Sequence, residues 1–403
     1  MKSTRSVLRL AAAVVAAGAL ALSASACGSS SGAAEAGTYK VGVLVGLTGA
    51  YAALGEPEKK AIELYFDKVN ADGGIDGKKV ELVVLDSATD EATSVNQLRK
   101  LATQEQVVAV LGPSSTGESV AIRSFANSLK VPVIALASGD NIIQPADEAK
   151  YMFKQYTGTT LSLEGQFAYA KEQGWSKIAL LATNDGYGQA ATSIAPEVAK
   201  KFGIELVASE VFNATATDVT AQLSKIKPAN ADSLLVWASN PANAIVAKSA
   251  AAMNFAPTLF NSPGAGSPVY VESGGAATNE TLLQGSKVLA ADTLDATDPQ
   301  YEVTKNLVDQ YQEAYSEMPG QYAANGWDGA ILLENALETA APDPSNVQAA
   351  REGIRDALEG STDKIVGVNA IYSFSPEVHG PSDLVGLTVL RVKEGEFHVE
   401  KSY

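Results

Sequence analysis

Cysteine and histidine are scarce in this sequence. Its 403 residues include one cysteine, Cys27, and two histidines, His379 and His398. A single cysteine cannot form an intramolecular disulfide, and the common zinc ligands and the common base of nucleophilic enzymes are nearly missing. We therefore expect no metal site, no cofactor and no catalysis by these routes.

Positive charge is also in deficit. The chain carries 46 acidic and 30 basic residues, which gives a formal net charge of −16. A field of this sign disfavours nucleic acid and anionic lipid headgroups as partners. The simpler interpretation of the charge is a solvated acidic surface that keeps an exported protein in solution.

The N-terminus has the pattern of an export signal. Arg5 and Arg9 precede an apolar run over residues 10–22, and the small residues 23–26 lead into Cys27. The run has about 13 residues, fewer than the roughly 20 that a membrane-spanning helix needs. We predict a signal peptide over 1–26, lipid attachment at Cys27 and a flexible tether over 27–37. The alternative is a secretory signal followed by an incidental free thiol.

Strand and helix patterns alternate along the rest of the chain. Apolar runs typical of buried parallel strands occur at 39–46, 80–85, 107–111 and 131–136, and again at 178–182, 205–211, 234–237 and 258–260. Helical spacing separates them, and Gly73 and Gly74 end the first helical pattern. The alternation predicts an α/β protein with two doubly wound parallel-sheet domains.

Three loops that follow predicted strands are rich in small polar residues. They cover residues 47–51, 112–117 and 137–140. Ligands of open α/β sheets bind beyond the carboxyl ends of the strands, where free backbone N–H groups at helix N-termini can hold a carboxylate. Ordinary helix capping by Ser, Thr or Asp is the alternative for any single loop.

Several segments in a fixed order carry a family resemblance. They are residues 43–49, 70–78 with their Gly-Gly-Ile-Asp-Gly motif, 110–113 with Gly-Pro, 131–134, and 185–188. The chain in this respect resembles the leucine/isoleucine/valine-binding proteins, the branched-chain amino acid solute-binding family of ABC importers. The resemblance covers about residues 38–400. It implies the type I periplasmic-binding fold, with two lobes joined by three crossovers and a ligand in the cleft between them.

The same resemblance implies the lobe boundaries. It suggests crossovers near 156–158, 285–288 and 372–374. Lobe 1 would then comprise residues 38–157 and 287–371, and lobe 2 would comprise residues 158–286 and 372–403.

The ligand-binding residues are also carried over from the resemblance. Thr116 stands where the family places a hydroxyl on the ligand carboxylate, and Ala137 and Ser138 match the segment that completes that contact. Tyr187 and Trp327 match aromatic positions, and Asn240 lies near a further expected contact. With Tyr51 as a cover for the apolar part of the ligand, the predicted set is Tyr51, Thr116, Ala137, Ser138, Tyr187, Asn240 and Trp327. Core packing is the alternative for the aromatic members.

One position departs from the family pattern. The acid that would bind a ligand ammonium group is replaced by Pro263, in the segment Ser262-Pro263-Gly264. Asp140 or Asp185 would be the possible ammonium partners if the ligand is an amino acid. Because a buried ammonium without a counter-charge is costly, the departure favours an apolar or aromatic acid over a zwitterion.

Together these patterns predict a monomeric, lipid-anchored, extracytoplasmic solute-binding protein. It would capture a small carboxylate-bearing solute, either an apolar or aromatic acid or an amino acid of the branched-chain type, and deliver it to an ABC permease. A ligand-sensing component for a separate signalling protein is the alternative. An enzyme is the third possibility, because a fold does not fix a function.

Overall fold

The computed structural model describes residues 37–361, 364–383 and 387–403. The predicted signal peptide, Cys27 and all of the predicted tether except Gly37 lie outside these residues. Within them, no helix combines the length and the hydrophobicity that crossing a membrane requires.

The first sheet is entirely parallel. Its strands run in the order β2-β1-β3-β4-β5. Nearly all of the residues in its three inner strands are buried, which explains the continuous apolar runs in the sequence. The strands are β1 (Thr38–Val45), β2 (Lys79–Asp86), β3 (Ala109–Leu111), β4 (Val133–Ala135) and β5 (Met152–Lys154).

The second sheet is mixed, with the order β14-β13-β10-β9-β8-β6-β7. Its five strands from β6 to β10 are parallel, whereas β13 lies antiparallel to both β10 and β14. The strands are β6 (Lys177–Thr183), β7 (Glu205–Phe212), β8 (Ser233–Trp237), β9 (Thr258–Asn261), β10 (Leu282–Gly285), β13 (Thr388–Lys393) and β14 (Glu396–Ser402). A separate two-stranded ribbon pairs β11 (Ile365–Val366) with β12 (Ile371–Tyr372).

Helices cover both faces of each sheet, so each sheet has an apolar core on either side. Helix α1 ends at Ala71 because Gly73 and Gly74 follow with positive φ angles of 113° and 78°. The helices are α1 (Ala52–Ala71), α2 (Glu91–Thr103), α3 (Thr116–Leu129), α4 (Thr159–Glu172), α5 (Gly186–Phe202), α6 (Thr220–Ile226), α7 (Ala242–Ala252), α8 (Pro268–Gly274), α9 (Tyr301–Tyr315), α10 (Gln321–Ala340) and α11 (Val347–Glu359).

The chain passes between the two sheets three times. It leaves the first sheet after β5 and enters α4, which leads to β6. It leaves the second sheet after β10 and continues to α10, whose buried face packs on the core of the first sheet. After β12 it returns to the second sheet at β13. The predicted doubly wound α/β architecture is confirmed, while the exact lobe boundaries stay a prediction. We call the first sheet with its helices lobe 1, and the second sheet with its helices lobe 2.

Candidate functional site

A cavity lies between the carboxyl ends of the two sheets. Loops after β1, β3 and β4 form one wall, loops after β6, β8 and β9 form the other, and the start of α10 joins the two. This is where open α/β sheets bind ligands. The cavity is lined by Tyr51, Leu54, Ser114, Ser115, Thr116, Leu136, Ala137, Ser138, Tyr156, Tyr187, Ser239, Pro263, Gly264, Gln321, Tyr322 and Asn325.

The lobe 1 wall is built around the N-terminus of α3. Ser115 caps this helix with its side chain, and Thr116 is the first helical residue. Backbone N–H groups in the first turn of a helix have no partners within the helix, and the helix dipole favours negative charge there. Ser138 borders the same wall. The arrangement presents hydrogen-bond donors to an anionic group.

Two buried carboxylates lie behind this wall. The Ser114 hydroxyl donates to Glu58 Oε2 at 2.5 Å, and the Ser115 hydroxyl donates to Glu118 Oε2 at 2.6 Å. The side chains of Glu58 and Glu118 are essentially inaccessible to solvent. Burial raises the pKa of Glu58 well above its usual value, the Ser114 hydrogen bond opposes that rise, and the nearby Glu118 adds to it.

The lobe 2 wall is built from aromatic and backbone groups. Tyr187 lies in the first turn of α5, and its ring contacts Trp237 with the two centroids 5.5 Å apart. A short turn at Pro263–Ala265 follows β9 and brings Pro263 and Gly264 to the cavity. Burial raises the pKa of Tyr187, so its phenol stays protonated and can donate a hydrogen bond.

The start of α10 connects the two walls. The Tyr322 hydroxyl donates to the Gly264 carbonyl at 2.5 Å, and Gln321 Nε2 donates to the Pro263 carbonyl at 2.9 Å. The Tyr156 hydroxyl donates to Gln321 Oε1 at 3.1 Å. These bonds hold α10, which packs on lobe 1, against the β9 turn of lobe 2.

The N-termini of α3 and α5 meet beside the cavity. A side-chain Cβ at Gly186 would lie 2.9 Å from the Cα of Gly117, which is closer than such contacts normally occur. Glycine therefore permits the two lobes to approach this closely. The structure has the two walls together, in a closed arrangement.

The two aspartates predicted as possible ammonium partners form hydrogen bonds within the protein, although Asp185 Oδ2 is buried without a partner. Asp140 accepts hydrogen bonds from the backbone N–H and the hydroxyl of Thr160, and its Oδ1 lies 3.7 Å from the buried Lys154 Nζ. Asp185 caps α5 by accepting from Gly188 N–H, and it accepts from the Thr183 hydroxyl. Neither residue lines the cavity. Burial raises the pKa of Asp185.

Two other predicted residues lie away from the cavity surface. Asn240 is fully buried, and its backbone N–H donates to the Gly264 carbonyl at 3.1 Å. Trp327 packs among α1, α9 and α10, where its ring contacts Tyr65 edge to face at 4.8 Å. The structure thus brings five of the predicted residues together around the cavity: Tyr51, Thr116, Ala137, Ser138 and Tyr187.

Some lining residues escaped the sequence-based prediction. Gln321, Tyr322 and Asn325 belong to the first turns of α10, and the sequence does not show which residues of a helix face a cavity. Ser114 belongs to the loop 112–117, which the sequence analysis identified, so Ser114 could have been predicted as a lining residue. Ser239 follows β8 directly, and the rule that ligands bind at the carboxyl ends of strands would have indicated it.

The fold and the cavity define a two-lobed solute-binding protein, and comparison with known proteins agrees. The family profile of periplasmic binding proteins matches residues 38–396. The chain belongs to this family.

Among curated relatives, Leu/Ile/Val-binding protein homolog 7 of Brucella abortus is 24% identical over 314 residues, covering 74% of this chain and 76% of the relative. An extracellular ligand-binding receptor from Rhodopseudomonas palustris has a similar structure, with a TM-score of 0.84 and 26% identity over 91% of this chain and 100% of the other. The branched-chain amino acid transporter substrate binding protein LivJ from Streptococcus pneumoniae, solved with isoleucine, has a TM-score of 0.77 and 25% identity over 91% of this chain and 98% of the other. The relatives are named as binding proteins or receptors, and the predicted family resemblance is confirmed.

Proposed function

We propose that this protein is the lipid-anchored solute-binding component of an ABC importer. It captures a small carboxylate-bearing solute between its two lobes outside the cytoplasmic membrane and delivers it to a permease. The observation that carries the proposal is the cavity itself, which two walls of different chemistry enclose at the carboxyl ends of both sheets.

The lobe 1 wall supports the carboxylate part of the proposal. The first turn of α3 supplies backbone donors, and Thr116 and Ser138 supply hydroxyl groups. The buried Tyr51 hydroxyl has no hydrogen-bond partner within the protein. A buried polar group without a partner costs about 1–3 kcal/mol, so a ligand that satisfies such groups gains affinity.

The lobe 2 wall supports the choice among acids. None of the described residues that line the cavity carries a carboxylate, and the family resemblance places Pro263 where the acid is expected. A ligand ammonium group would lack a counter-charge there, which costs several kcal/mol in a buried site. We therefore favour an apolar or aromatic acid over a zwitterionic amino acid of the branched-chain type, although a structural relative was solved with isoleucine.

A thermal-shift screen tests the proposed ligand class. The panel contains 4-methylpentanoate, 4-methyl-2-oxopentanoate, benzoate, phenylacetate and leucine, with 4-methylpentanamide as a neutral control. A ligand at a hundred times its Kd should add about 2.7 kcal/mol to the free energy of unfolding. We expect stabilisation by one or more of the acids and a smaller stabilisation by the amide. Stabilisation by leucine alone would contradict the ligand class.

The lipid anchor is tested separately. Cys27→Ala should release the protein from the membrane fraction and leave ligand binding unchanged, because the acyl chains contribute nothing to the core. Fractionation of cells that express the variant and the wild type measures the first effect, and calorimetry measures the second. Membrane retention of the variant would contradict lipid attachment at Cys27.

A further inference from the structure

Glu58 is a buried acid that the proposed binding mode does not use. It lies on α1 where this helix crosses α10. The two helices are so close there that a Cβ added at Gly326 would lie 2.3 Å from the Glu58 carbonyl oxygen. The carboxylate is completely inaccessible to solvent, and the side chains that lower its pKa by hydrogen bonding are those of Ser114 and Asn325. Across the described ranges 37–361, 364–383 and 387–403, no lysine, arginine or histidine forms an ion pair with it.

The Ser114 side chain connects Glu58 to the cavity. Its hydroxyl accepts a hydrogen bond from the Gly46 backbone N–H at 3.1 Å and lies 2.5 Å from Glu58 Oε2. A hydroxyl group has one hydrogen to donate and two lone pairs to accept with. Because Gly46 uses one lone pair, the protonation state of Glu58 decides what Ser114 can offer to a ligand.

The two states of Glu58 have opposite consequences. When Glu58 is ionised, the Ser114 hydrogen points to the carboxylate, and only a lone pair remains for the cavity. When Glu58 is protonated, its own O–H donates to Ser114 Oγ, both lone pairs are filled, and the Ser114 hydrogen is free to point at a ligand. Only the second state donates to a bound carboxylate.

We propose that Glu58 sets the charge preference of the cavity through Ser114, as a positioning residue that never touches the ligand. Binding of an anionic acid then selects protonated Glu58, and it takes up one proton from solution wherever Glu58 is ionised in the free protein. Ionised Glu58 instead favours a ligand that donates a hydrogen bond to Ser114. This proposal rests on the proposed function, because it assumes that an acid occupies the cavity.

The surroundings of Glu58 contain further titratable groups. Glu118 on α3 raises the pKa of Glu58 by like-charge repulsion, after burial as the larger cause. Tyr322 on α10 also interacts with Glu58, and burial keeps that phenol protonated by raising its pKa. No neighbouring cation compensates an ionised Glu58 among the described residues, so the protonated state is accessible.

Calorimetry with 4-methylpentanoate tests the proposal. The titrations are made between about pH 5.5 and 9.5. Above the pKa of Glu58, the affinity of the wild-type protein for the acid should fall about tenfold per pH unit. Titrations in buffers of different ionisation enthalpy should show uptake of about one proton per bound acid over the same range. Glu58→Gln, whose amide donates permanently, should bind the acid with a pH-independent Kd and no proton uptake.

Two further variants make the result specific. Ser114→Ala breaks the connection and should also remove the proton uptake, even though Glu58 is retained. Glu334→Gln is the control. Glu334 is a partly buried acid that accepts a hydrogen bond from Tyr65 and does not line the cavity. This variant should keep the wild-type pH dependence. An acid that binds the wild type and Glu58→Gln with the same pH dependence would overturn the proposal.

An infrared measurement without ligand separates this proposal from the proposed function. The difference spectrum between wild type and Glu58→Gln at low pH should contain the C=O stretch of a protonated carboxyl group, and that band should disappear as the pH rises. Its absence would overturn the role of Glu58. If the band is present but none of the acids binds, the ligand class fails while the protonation of Glu58 stands.

Discussion

The two walls of the cavity differ in how their polar groups are held. In the lobe 1 wall, Ser114 and Ser115 are bonded to buried acids, and the Ser138 carbonyl accepts from buried Lys154. In the lobe 2 wall, Tyr187 is the one aromatic side chain among the lining residues, and the polar groups of Pro263 and Gly264 are backbone carbonyls already bonded to α10.

This difference indicates a division of labour, by which we mean that the two walls recognise different parts of a ligand. A wall whose hydroxyls and N–H groups are fixed by a buried polar network is preorganised for a charged group, because little ordering remains to be done on binding. A wall formed by the Tyr187 ring, Pro263 and backbone carbonyls that already have donors suits the apolar part of a ligand. We therefore assign charge recognition to lobe 1 and shape recognition to lobe 2.

The largest expected effect comes from removing the buried cation behind the lobe 1 wall. Lys154 donates to the carbonyls of Ser138 and Tyr156 and pairs with Asp140. Lys154→Met leaves these acceptors without their donor and should lower the free energy of unfolding by about 3 kcal/mol. Chemical denaturation measures this, with Lys201→Met as the control, because its partner Glu164 belongs to an exposed pair that is worth less than about 1 kcal/mol.

The same lysine gives a pH signature. Burial lowers the pKa of Lys154 from 10.5 to about 8. Between these values the unfolded chain binds more protons than the folded protein, so this residue makes stability rise with pH across that window. Lys154→Met should remove the rise. A variant that keeps the wild-type stability and pH profile would show that Lys154 does not support the wall.

The next effect concerns the hydroxyl groups of the lobe 1 wall. Thr116→Ala and Ser138→Ala should each weaken binding of a carboxylate by about 1–3 kcal/mol, because each removes a donor to the charged group. A neutral solute held by the lobe 2 wall should be affected much less. Calorimetry with 4-methylpentanoate and its amide measures the contrast, and Thr116→Ser should restore affinity. Equal losses for acid and amide would contradict the division of labour.

A smaller effect is expected from keeping the walls apart. Gly186→Val introduces side-chain atoms where α5 meets Gly117 of α3. Overpacking of this kind costs about 1–3 kcal/mol, and it destabilises the closed arrangement of the two lobes. An arrangement with the two lobes farther apart is destabilised less. All ligands, the acids and the amide alike, should therefore bind severalfold more weakly. Small-angle scattering should show a smaller ligand-induced decrease in radius of gyration than in wild type. The control is Gly353→Val, where a Cβ would make only an ordinary contact.

Much of the fold could be predicted because its strands are continuous apolar runs. The strand pattern at 178–182 differs from β6 by one residue at each end. Helix α4 gave no such signal, since eight of its residues, on all sides of the helix, are buried and its amphipathic periodicity is correspondingly weak. Strand β10 has the sequence Leu-Leu-Gln-Gly, so it lacks the continuous apolar run that identified the other strands.

The site residues that could be predicted from the sequence are those in the loops that follow strands. Thr116, Ala137 and Ser138 follow strands directly, so chain order alone places them at the sheet edge. Trp327 is different, because a position on a helix does not say which face of the helix turns toward the cavity. Glu58 could not be found at all, since its partner Ser114 is 56 residues away and only the tertiary structure joins them.

The central claim, that the cavity recognises a carboxylate and lacks a partner for an ammonium group, is tested most directly by one pair of ligands. Leucine and 4-methylpentanoate differ only in the amino group. Calorimetry on the wild-type protein should give at least tenfold tighter binding of 4-methylpentanoate, because the leucine ammonium loses hydration without gaining a counter-charge. Tighter binding of leucine, with that advantage lost in Asp140→Asn or Asp185→Asn, would contradict the claim and identify the acid that replaces the missing one.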